Sequence, residues 1–202
     1  MTAWPTAIQS CARRAAVAAW SLAALTGCAT PPINTQNSPL GCTSIESRAF
    51  DFWLGEWDIA QRILNADGSW LELPAQTAVN ASPNGCVLTE HWQGDVRFFW
   101  EGMTAAEPLF GYSVRTYDPS LRQWRIYWMD SHAPRFESPY VGNFENGRGE
   151  FRREFATPDG ARLGRIVFDN ITPETVNWEL SVSSDEGQSW TALWIMEMQR
   201  RY

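Results

Sequence analysis

Most of the chain alternates apolar and polar residues with a period of two. From Gly55 onward the alternation comes in short runs, separated by turn signals about every ten residues. A period of two is typical of strands with one buried face, and regular turns between them favour consecutive hairpins. We therefore predict an all-β fold, a single antiparallel up-and-down barrel of about ten strands. The predicted strands are residues 55–64, 70–81, 86–92, 110–117, 124–130, 135–145, 149–156, 161–170, 178–183 and 190–200. The third of them is predicted to continue as residues 96–100 after a break at Gly94-Asp95.

Residues 50–59 break this alternation. Four of their ten side chains are aromatic, namely Phe50, Phe52, Trp53 and Trp57. Their spacing does not fit an amphipathic helix, so we interpret them as a short helical turn that plugs one end of the barrel. Gly55 then allows the backbone to bend into the first strand. Trp57 is expected on the floor of the barrel.

These residues carry a family resemblance. Gly55-x-Trp57 resembles the first signature of lipocalin-like (calycin) barrels, and the longer string is similar to a bacterial lipocalin-like family of largely unassigned function, the DUF1579 type. The resemblance covers residues 42–202. It also rests on residues 85–92, on Tyr117-Asp118-Pro119 with Trp124, on Trp128-x-Asp130 and on residues 183–190. It implies one barrel domain that binds a small, mostly apolar molecule. Residues 101–108 depart from the family pattern and are interpreted as a lid over one mouth.

The N-terminus is interpreted as a targeting segment. Arg13-Arg14 precedes an apolar run, residues 15–25, that is too short to span a bilayer. The run ends in Leu25-Thr26-Gly27-Cys28, which resembles a lipobox. Residues 1–27 are thus predicted to be a lipoprotein signal peptide, Cys28 the lipidated residue and residues 28–41 a flexible tether. The resemblance to sorting patterns favours the periplasmic face of the outer membrane.

The remaining cysteines predict a disulfide. Cys11 leaves with the leader and Cys28 carries lipid, so Cys42 and Cys86 remain in an oxidising compartment. We expect them to pair, with free buried thiols as the alternative. A metal site is not expected, since their spacing matches no ligand set and histidine is scarce.

The amino-acid composition limits the classes of partner that we expect. The chain has 202 residues, 12 of them Trp, and a net charge of −7. Removal of the leader would leave 14 basic and 23 acidic residues, a charge of about −9, which argues against binding nucleic acid. The excess of Trp favours a wide core or a pocket lined with rings. We expect Trp57, Trp92, Trp128 and Trp178 to line the interior; oligomeric state is left open.

Charged residues within the apolar strands suggest where a polar group could be recognised. Period two puts Glu90 on the same face as Trp92, and a carboxylate inside the barrel needs a partner. Arg115 or Arg153 could supply it. Such a pair could recognise the polar head of an apolar ligand, and the alternative is a structural salt bridge. We therefore add Glu90 and Arg115 to the predicted ligand-binding residues.

No catalytic motif is present, and no cofactor is expected. His91 could serve as an axial haem ligand, as in the related nitrobindin barrels, but the second nitrobindin histidine is absent, and an outward position is favoured. Two other functions stay open. One is an isomerase or hydrolase that uses Glu90 or Asp130 as acid or base, which requires a buried, unpaired carboxylate. The other is a non-catalytic envelope interaction module, favoured by a filled interior and a surface aromatic patch.

Overall fold

The computed structural model describes residues 42–157 and 160–202, and these form a closed antiparallel barrel. Each strand pairs with the next along the chain, and the last strand pairs with the first, which confirms the predicted up-and-down topology. The strands are β1 Gly55–Leu64, β2 Trp70–Ala81, β3 Val87–Val96, β4 Glu107–Asp118, β5 Gln123–Asp130, β6 Tyr140–Glu145, β7 Arg148–Thr157, β8 Gly160–Asp169, β9 Thr175–Ser183 and β10 Thr191–Arg201. Three short 3-10 turns accompany them, Glu46–Arg48, Asp51–Trp53 and Phe99–Glu101.

Within each strand the apolar set faces inward. In β1 the buried residues are Trp57, Ile59, Gln61 and Ile63, and the positions between them are exposed or half-buried. This period-two pattern fixes the register, because a slip of one residue would turn the whole apolar set to water. Barrel closure pairs every described strand with two neighbours, although the pairing along β6 is short.

The two N-terminal 3-10 turns form the predicted plug. We call the plugged end of the barrel the floor and the opposite end the mouth. Phe50 and Trp53 are fully buried there, and Phe50 lies within ring-contact distance of Phe144, Phe151 and Phe168. Gly55 follows with a positive φ of 110°, a conformation that favours glycine.

The Cys42–Cys86 disulfide is present, with a Cα–Cα distance of 5.2 Å. It joins the chain just before the plug to the turn between β2 and β3 at the floor. The predicted signal peptide, the lipidated Cys28 and the tether lie outside the described residues. Within residues 42–157 and 160–202, no helix has the length and apolar character needed to cross a bilayer.

Three sequence predictions differ from the structure. The break predicted at Gly94-Asp95 is absent, because β3 runs through Gly94, which packs closely against Ala75. The sixth strand begins at Tyr140 rather than at residue 135, directly after Pro139, which has no N–H to donate to a ladder.

The third difference concerns Trp190, because strict alternation over residues 190–200 predicts it on the same side of the last strand as Trp194. A register shift between Ala192 and Trp194 changes the face, and β10 begins only at Thr191. Trp190 therefore packs outside the wall, with the Arg165 guanidinium 4.2 Å from the centroid of its ring.

The short β6 leaves a gap in the wall near the mouth. The β5–β6 ladder covers only three residue pairs, from Trp124–Gly142 to Ile126–Tyr140. The β6–β7 ladder ends at Val141–Arg152, although β7 continues to Thr157. The upper parts of β5 and β7 are thus separated by the connection of residues 131–139 rather than by a strand.

Candidate ligand-binding site

A charged network lies inside the barrel, midway between floor and mouth. Glu90 on β3 stands opposite Ser113 on β4, and Arg115 is two positions further along the same face. Arg115 Nη2 donates to Glu90 Oε2 at 2.8 Å, and Arg115 Nη1 donates to Ser113 Oγ at 2.7 Å. Ser113 Oγ donates to Glu90 Oε2 at 2.7 Å, and Thr77 Oγ1 donates to Glu90 Oε1 at 3.0 Å. The structure thus gives Glu90 the partner that the sequence required.

This network is shielded from solvent. Glu90 is 4% exposed and Arg115 is 3% exposed. The Arg115 guanidinium also lies 5.3 Å from the centroid of the Phe50 ring and 5.4 Å from that of Trp53. Desolvating two charges is expensive, and their attraction often only offsets that cost, so a buried pair is weak evidence for a purely stabilising role.

The interior below the pair is filled by aromatic rings. Trp53 stacks on Trp57 with their centroids 5.6 Å apart, and Arg200 Cζ lies 4.1 Å from the centroid of the Trp57 ring. Arg200 also donates to the carbonyl oxygens of Leu54 at 2.5 Å and Phe52 at 2.7 Å. Trp57 is 0% exposed, which makes it part of the floor.

One side of the interior above the pair is also closed. A segment that we call the cap, residues 96–103, crosses from β3 to β4 and buries Val96 and Phe98. The Phe98 ring stacks on Trp100 at 4.8 Å and lies 5.1 Å from Trp194. The lid predicted for residues 101–108 thus contributes only the end of this segment, and β4 already begins at Glu107.

The other side of the interior is less completely buried toward the mouth. Five inward-facing residues of β5, β7 and β9 are only half-buried there, and we call them the mouth residues. They are Trp128, Asp130, Arg153, Phe155 and Leu180. The first four lie on β5 and β7, the strands on either side of the gap left by the short β6.

The Trp128 ring lies against Gly111 of β4, which is the residue paired with Asp130. A Cβ on Gly111 would overlap the Trp128 ring, so only glycine permits this position. Trp128 Nε1 donates to Asp130 Oδ2 at 2.9 Å, which fixes the orientation of the ring. The Trp128 centroid lies 6.5 Å from that of Trp92, whose ring is buried directly behind it.

Arg153 is a mouth residue that the sequence offered only as an alternative partner of Glu90. Arg153 Nη1 donates to Glu137 Oε2 at 2.5 Å and to the carbonyl oxygen of Ser138 at 3.3 Å. Its guanidinium lies 4.7 Å from the centroid of the Tyr140 ring, and burial raises the pKa of that phenol. Period two on β7 marks Arg153 as inward-facing, but only the β6–β7 pairing reveals which groups surround it.

The carboxylates near the mouth repel one another. Desolvation raises the pKa of Glu101, and the charge of Asp130 adds to the shift. Glu137 acts in the same direction, whereas His132 opposes it. The mouth therefore combines aromatic rings with a partly balanced set of charges.

The predicted ligand-binding residues occupy three levels. Glu90, Arg115 and Trp92 lie together in the middle of the interior, Trp128 lies at the mouth and Trp57 lies in the floor. Trp178 is nearly buried on β9, and its centroid is 5.3 Å from that of Trp194.

The residues considered for haem binding or for acid-base catalysis either face away from the interior or already have hydrogen-bond partners. His91 faces outward against Tyr112, with ring centroids 4.9 Å apart, so it does not reach the interior. Asp130 Oδ1 accepts the backbone N–H groups of His132 and Ala133, both at 2.9 Å, and so caps a turn. Glu90 is fully paired. Neither carboxylate is the buried, unpaired group that the enzyme alternative requires.

Among the described residues, no group of three or more His, Cys, Asp or Glu side chains could hold a metal ion.

The outer wall carries two open grooves. One lies beside Asp58, Gln93 and Phe110, and the other lies beside Arg62 and Glu72.

Solved structures with the same architecture exist at low sequence identity. The crystal structure of Rv2717c from M. tuberculosis matches with a TM-score of 0.52 at 12% identity, over 79% of this chain and 99% of that one. The fold is that of a lipocalin-like barrel. An S-type phycobiliprotein lyase, CPES from Guillardia theta, matches with a TM-score of 0.48 at 11% identity, over 77% of this chain and 92% of that one.

A third barrel, EF1p2_mFAP2b bound to DFHBI, has a TM-score of 0.40 at 13% identity, over 77% of this chain and 99% of that one. No protein-family model matches the chain, and no curated protein matches it. At these identities the likeness extends to the fold alone.

Proposed function

We propose that this barrel binds a small, mostly apolar molecule, which enters at the mouth and reaches the Glu90–Arg115 pair. The observation that carries the proposal is the asymmetry of the interior. The floor is sealed by rings, whereas inward-facing aromatic and apolar side chains at the mouth remain half-exposed. Ligand sites in proteins are commonly concave, mostly apolar and supplied with a few well-placed polar groups.

The predicted ligand-binding residues divide into two roles. Trp128 at the mouth and Trp178 on β9, two residues before Leu180, supply apolar contact area together with Leu180. Trp92, Glu90 and Arg115 supply polar atoms further in. A buried ion pair gives little net stability over an apolar replacement, so a role in recognition accounts for its presence better than packing does.

Intrinsic tryptophan fluorescence tests this function directly. Titration with retinol, hexadecanoate and haem should quench or shift the emission for at least one compound, because Trp92, Trp128 and Trp178 lie along the path. Leu180→Arg, which places a charge on that path, should weaken binding at least tenfold. Leu121→Arg is the matched control, since Leu121 is 57% exposed and lies at the floor end. Flat titrations with all three compounds would count against the proposal.

Lipid anchoring is part of the proposal. Leu25-Thr26-Gly27-Cys28 supports lipidation at Cys28, with the barrel held on the periplasmic face of the outer membrane. Membership of the DUF1579-type family is supported separately, by residues 50–59 and 85–92. Metabolic labelling with a radioactive fatty acid should mark the wild-type chain and not Cys28→Ala. The anchored form should fractionate with outer membranes, and a soluble, unlabelled wild-type chain would refute the anchor.

A second candidate function is a non-catalytic interaction through the outer wall. Phe110 is 62% exposed and Phe136 is 48% exposed. The Phe136 ring lies 6.2 Å from Tyr127 and 6.5 Å from Tyr112, which forms an aromatic patch on the outside of β4 and β5. A photo-crosslinking residue at position 136 should give a discrete adduct in cells if this surface has a partner. The same residue at position 121 is the control.

A further inference from the structure

The unpaired polar atoms inside the barrel are all donors. In residues 42–157 and 160–202, four buried side-chain nitrogen atoms have no hydrogen-bond partner, and no buried side-chain oxygen lacks one. They are Trp53 Nε1, Trp92 Nε1, Arg115 Nε and Arg153 Nε. Each is an N–H group that can only donate. Three of the side chains are at least nine-tenths buried, with Trp53 1% exposed, Trp92 2% and Arg115 3%.

Unsatisfied buried donors are costly and need an explanation. Leaving one unpaired costs its full desolvation penalty, and native proteins retain few of them. The four lie from the floor to the mouth of one interior, at Trp53 and Arg115, then Trp92, then Arg153. A molecule that enters past Trp128 meets the Trp92 indole first, because the two rings are adjacent.

Each of the two inward-facing arginines that carry an unpaired Nε already has a carboxylate partner. Arg115 is paired with Glu90 at 2.8 Å, and Arg153 is paired with Glu137 at 2.5 Å. A ligand carboxylate beside Arg115 would therefore add a second negative charge to a pair that is already neutral. An ammonium group would instead face N–H donors that point hydrogen atoms toward it. Both would bring an uncompensated charge into a buried site.

We infer that the ligand is an uncharged molecule with a hydrogen-bond acceptor, a ketone or ester carbonyl on an apolar body. Its oxygen accepts from Trp92 Nε1, the unpaired donor next to Trp128, while the Glu90–Arg115 pair stays intact. This inference rests on the proposed function, since it names the ligand class for the same interior. A carbonyl oxygen is an acceptor without a charge, so it can pair with this donor and leave the ion pair undisturbed.

A ligand series of constant length tests the class. Decane, 2-decanone, decanoate and decylammonium would be titrated at pH 7 against the purified protein by tryptophan fluorescence. We expect 2-decanone to bind about threefold to tenfold more tightly than each of the others, as one net hydrogen bond implies. Equal or tighter binding of decanoate or decylammonium overturns the inference. If decane equals 2-decanone, the inference fails while the proposed function stands. If none of the four binds, the inference also fails, and the titration with retinol, hexadecanoate and haem decides the proposed function.

Two further measurements locate the acceptor. Trp92→Phe keeps a ring but removes the N–H, so it should weaken 2-decanone about threefold to tenfold and leave decane unchanged. Trp190→Phe, on the outer wall, should alter neither. The carbonyl stretch of ¹³C-labelled 2-decanone bound to the wild-type protein should shift to lower frequency, a readout that does not depend on any variant folding. An unshifted band, or equal 2-decanone affinity in Trp92→Phe, contradicts the inference.

Discussion

The two ends of this barrel use the same aromatic residue types for different purposes. At the floor, Phe50, Trp53 and Phe168 pack at centroid distances of 5.3–5.4 Å, with nothing exposed. At the mouth, Trp128 and Phe155 also face inward, yet both remain half-buried. The number of rings is therefore a poor guide to function. What distinguishes the ends is whether a second element covers the rings.

The cover at the floor is held by three independent attachments. The plug rings insert between the strands, the Cys42–Cys86 disulfide joins the preceding chain to the β2–β3 turn, and Arg200 donates to two plug carbonyl groups. The mouth has no comparable cover on its β5 to β9 side, because β6 is short. There, the Arg153–Glu137 pair tethers the connection of residues 131–139.

Breaking the Glu90–Arg115 pair, which lies between the floor and the mouth, should give the largest decrease in the free energy of unfolding. Arg115→Met leaves Glu90 charged and buried with only hydroxyl partners, and loss of one partner of a buried pair typically costs about 3–5 kcal/mol. We expect that decrease in the free energy of unfolding from urea denaturation with an unchanged m value.

The double variant separates recognition from stability. Glu90→Met with Arg115→Met should recover most of the lost stability, because it removes both charges and fills the space with apolar atoms. It should still lose affinity for any ligand held by the pair. A double variant as unstable as the single one would show that the network is needed for folding rather than for binding.

A matched pair of truncations tests the contrast between floor and mouth. Phe50→Ala removes a fully buried ring with at least four aromatic neighbours, so it should cost about 3–5 kcal/mol. Phe155→Ala removes a half-buried ring and should cost roughly 1–2 kcal/mol. Thermal and urea unfolding of both variants measure the difference. Equal losses would mean that the mouth is as tightly packed as the floor.

The disulfide is expected to stabilise the fold by lowering the conformational entropy of the unfolded chain. It closes a separation of 44 residues, and the chain-entropy model assigns such a loop about 3–4 kcal/mol. Cys42→Ser with Cys86→Ser should lower the unfolding free energy by that amount in non-reducing buffer. Adding a reductant should bring the wild type close to the double variant, whereas an unaffected wild type would contradict the assignment.

The fold was largely readable from sequence because its signals are local. The limits of β1 and β2 match their predicted residues, since a period-two pattern between turn signals defines both. The position of Glu90 also followed from this pattern. Its partner did not, because Arg115 and Arg153 both face inward, and only the β3–β4 pairing brings Arg115 to it.

The features that sequence could not supply depend on contacts between distant residues. Arg200 holds the plug from 146 positions away, and nothing in the local pattern of β10 indicates it. The gap at the mouth results from the late start of β6 at Tyr140. Pro139 is a local signal for that start, although the sequence prediction placed it at residue 135. The outward position of Trp190 results from a register shift, which period two alone cannot detect.

The smallest expected effect concerns a hairpin at the mouth end that resembles an Asp-box in sequence. Asp185 Oδ2 accepts from Ser189 Oγ at 2.6 Å, and Asp185 Oδ1 accepts the Ser189 N–H at 2.9 Å. These bonds, led by the hydroxyl, lower the pKa of Asp185 from 3.8 to about 2. A lowered pKa means that the carboxylate stabilises the folded hairpin above about pH 4, and that this contribution disappears as the pH falls toward 2.

Asp185→Asn removes the charge but keeps one acceptor oxygen, so it isolates this contribution. The wild type should unfold at a higher urea concentration than the variant between pH 5 and 7. The two midpoints should converge as the pH falls below 2, where the wild-type carboxyl is also protonated. The floor should be unaffected, because the hairpin lies at the other end of the barrel. A difference that persists unchanged at pH 2 would mean that shape, rather than the charge of Asp185, holds the turn.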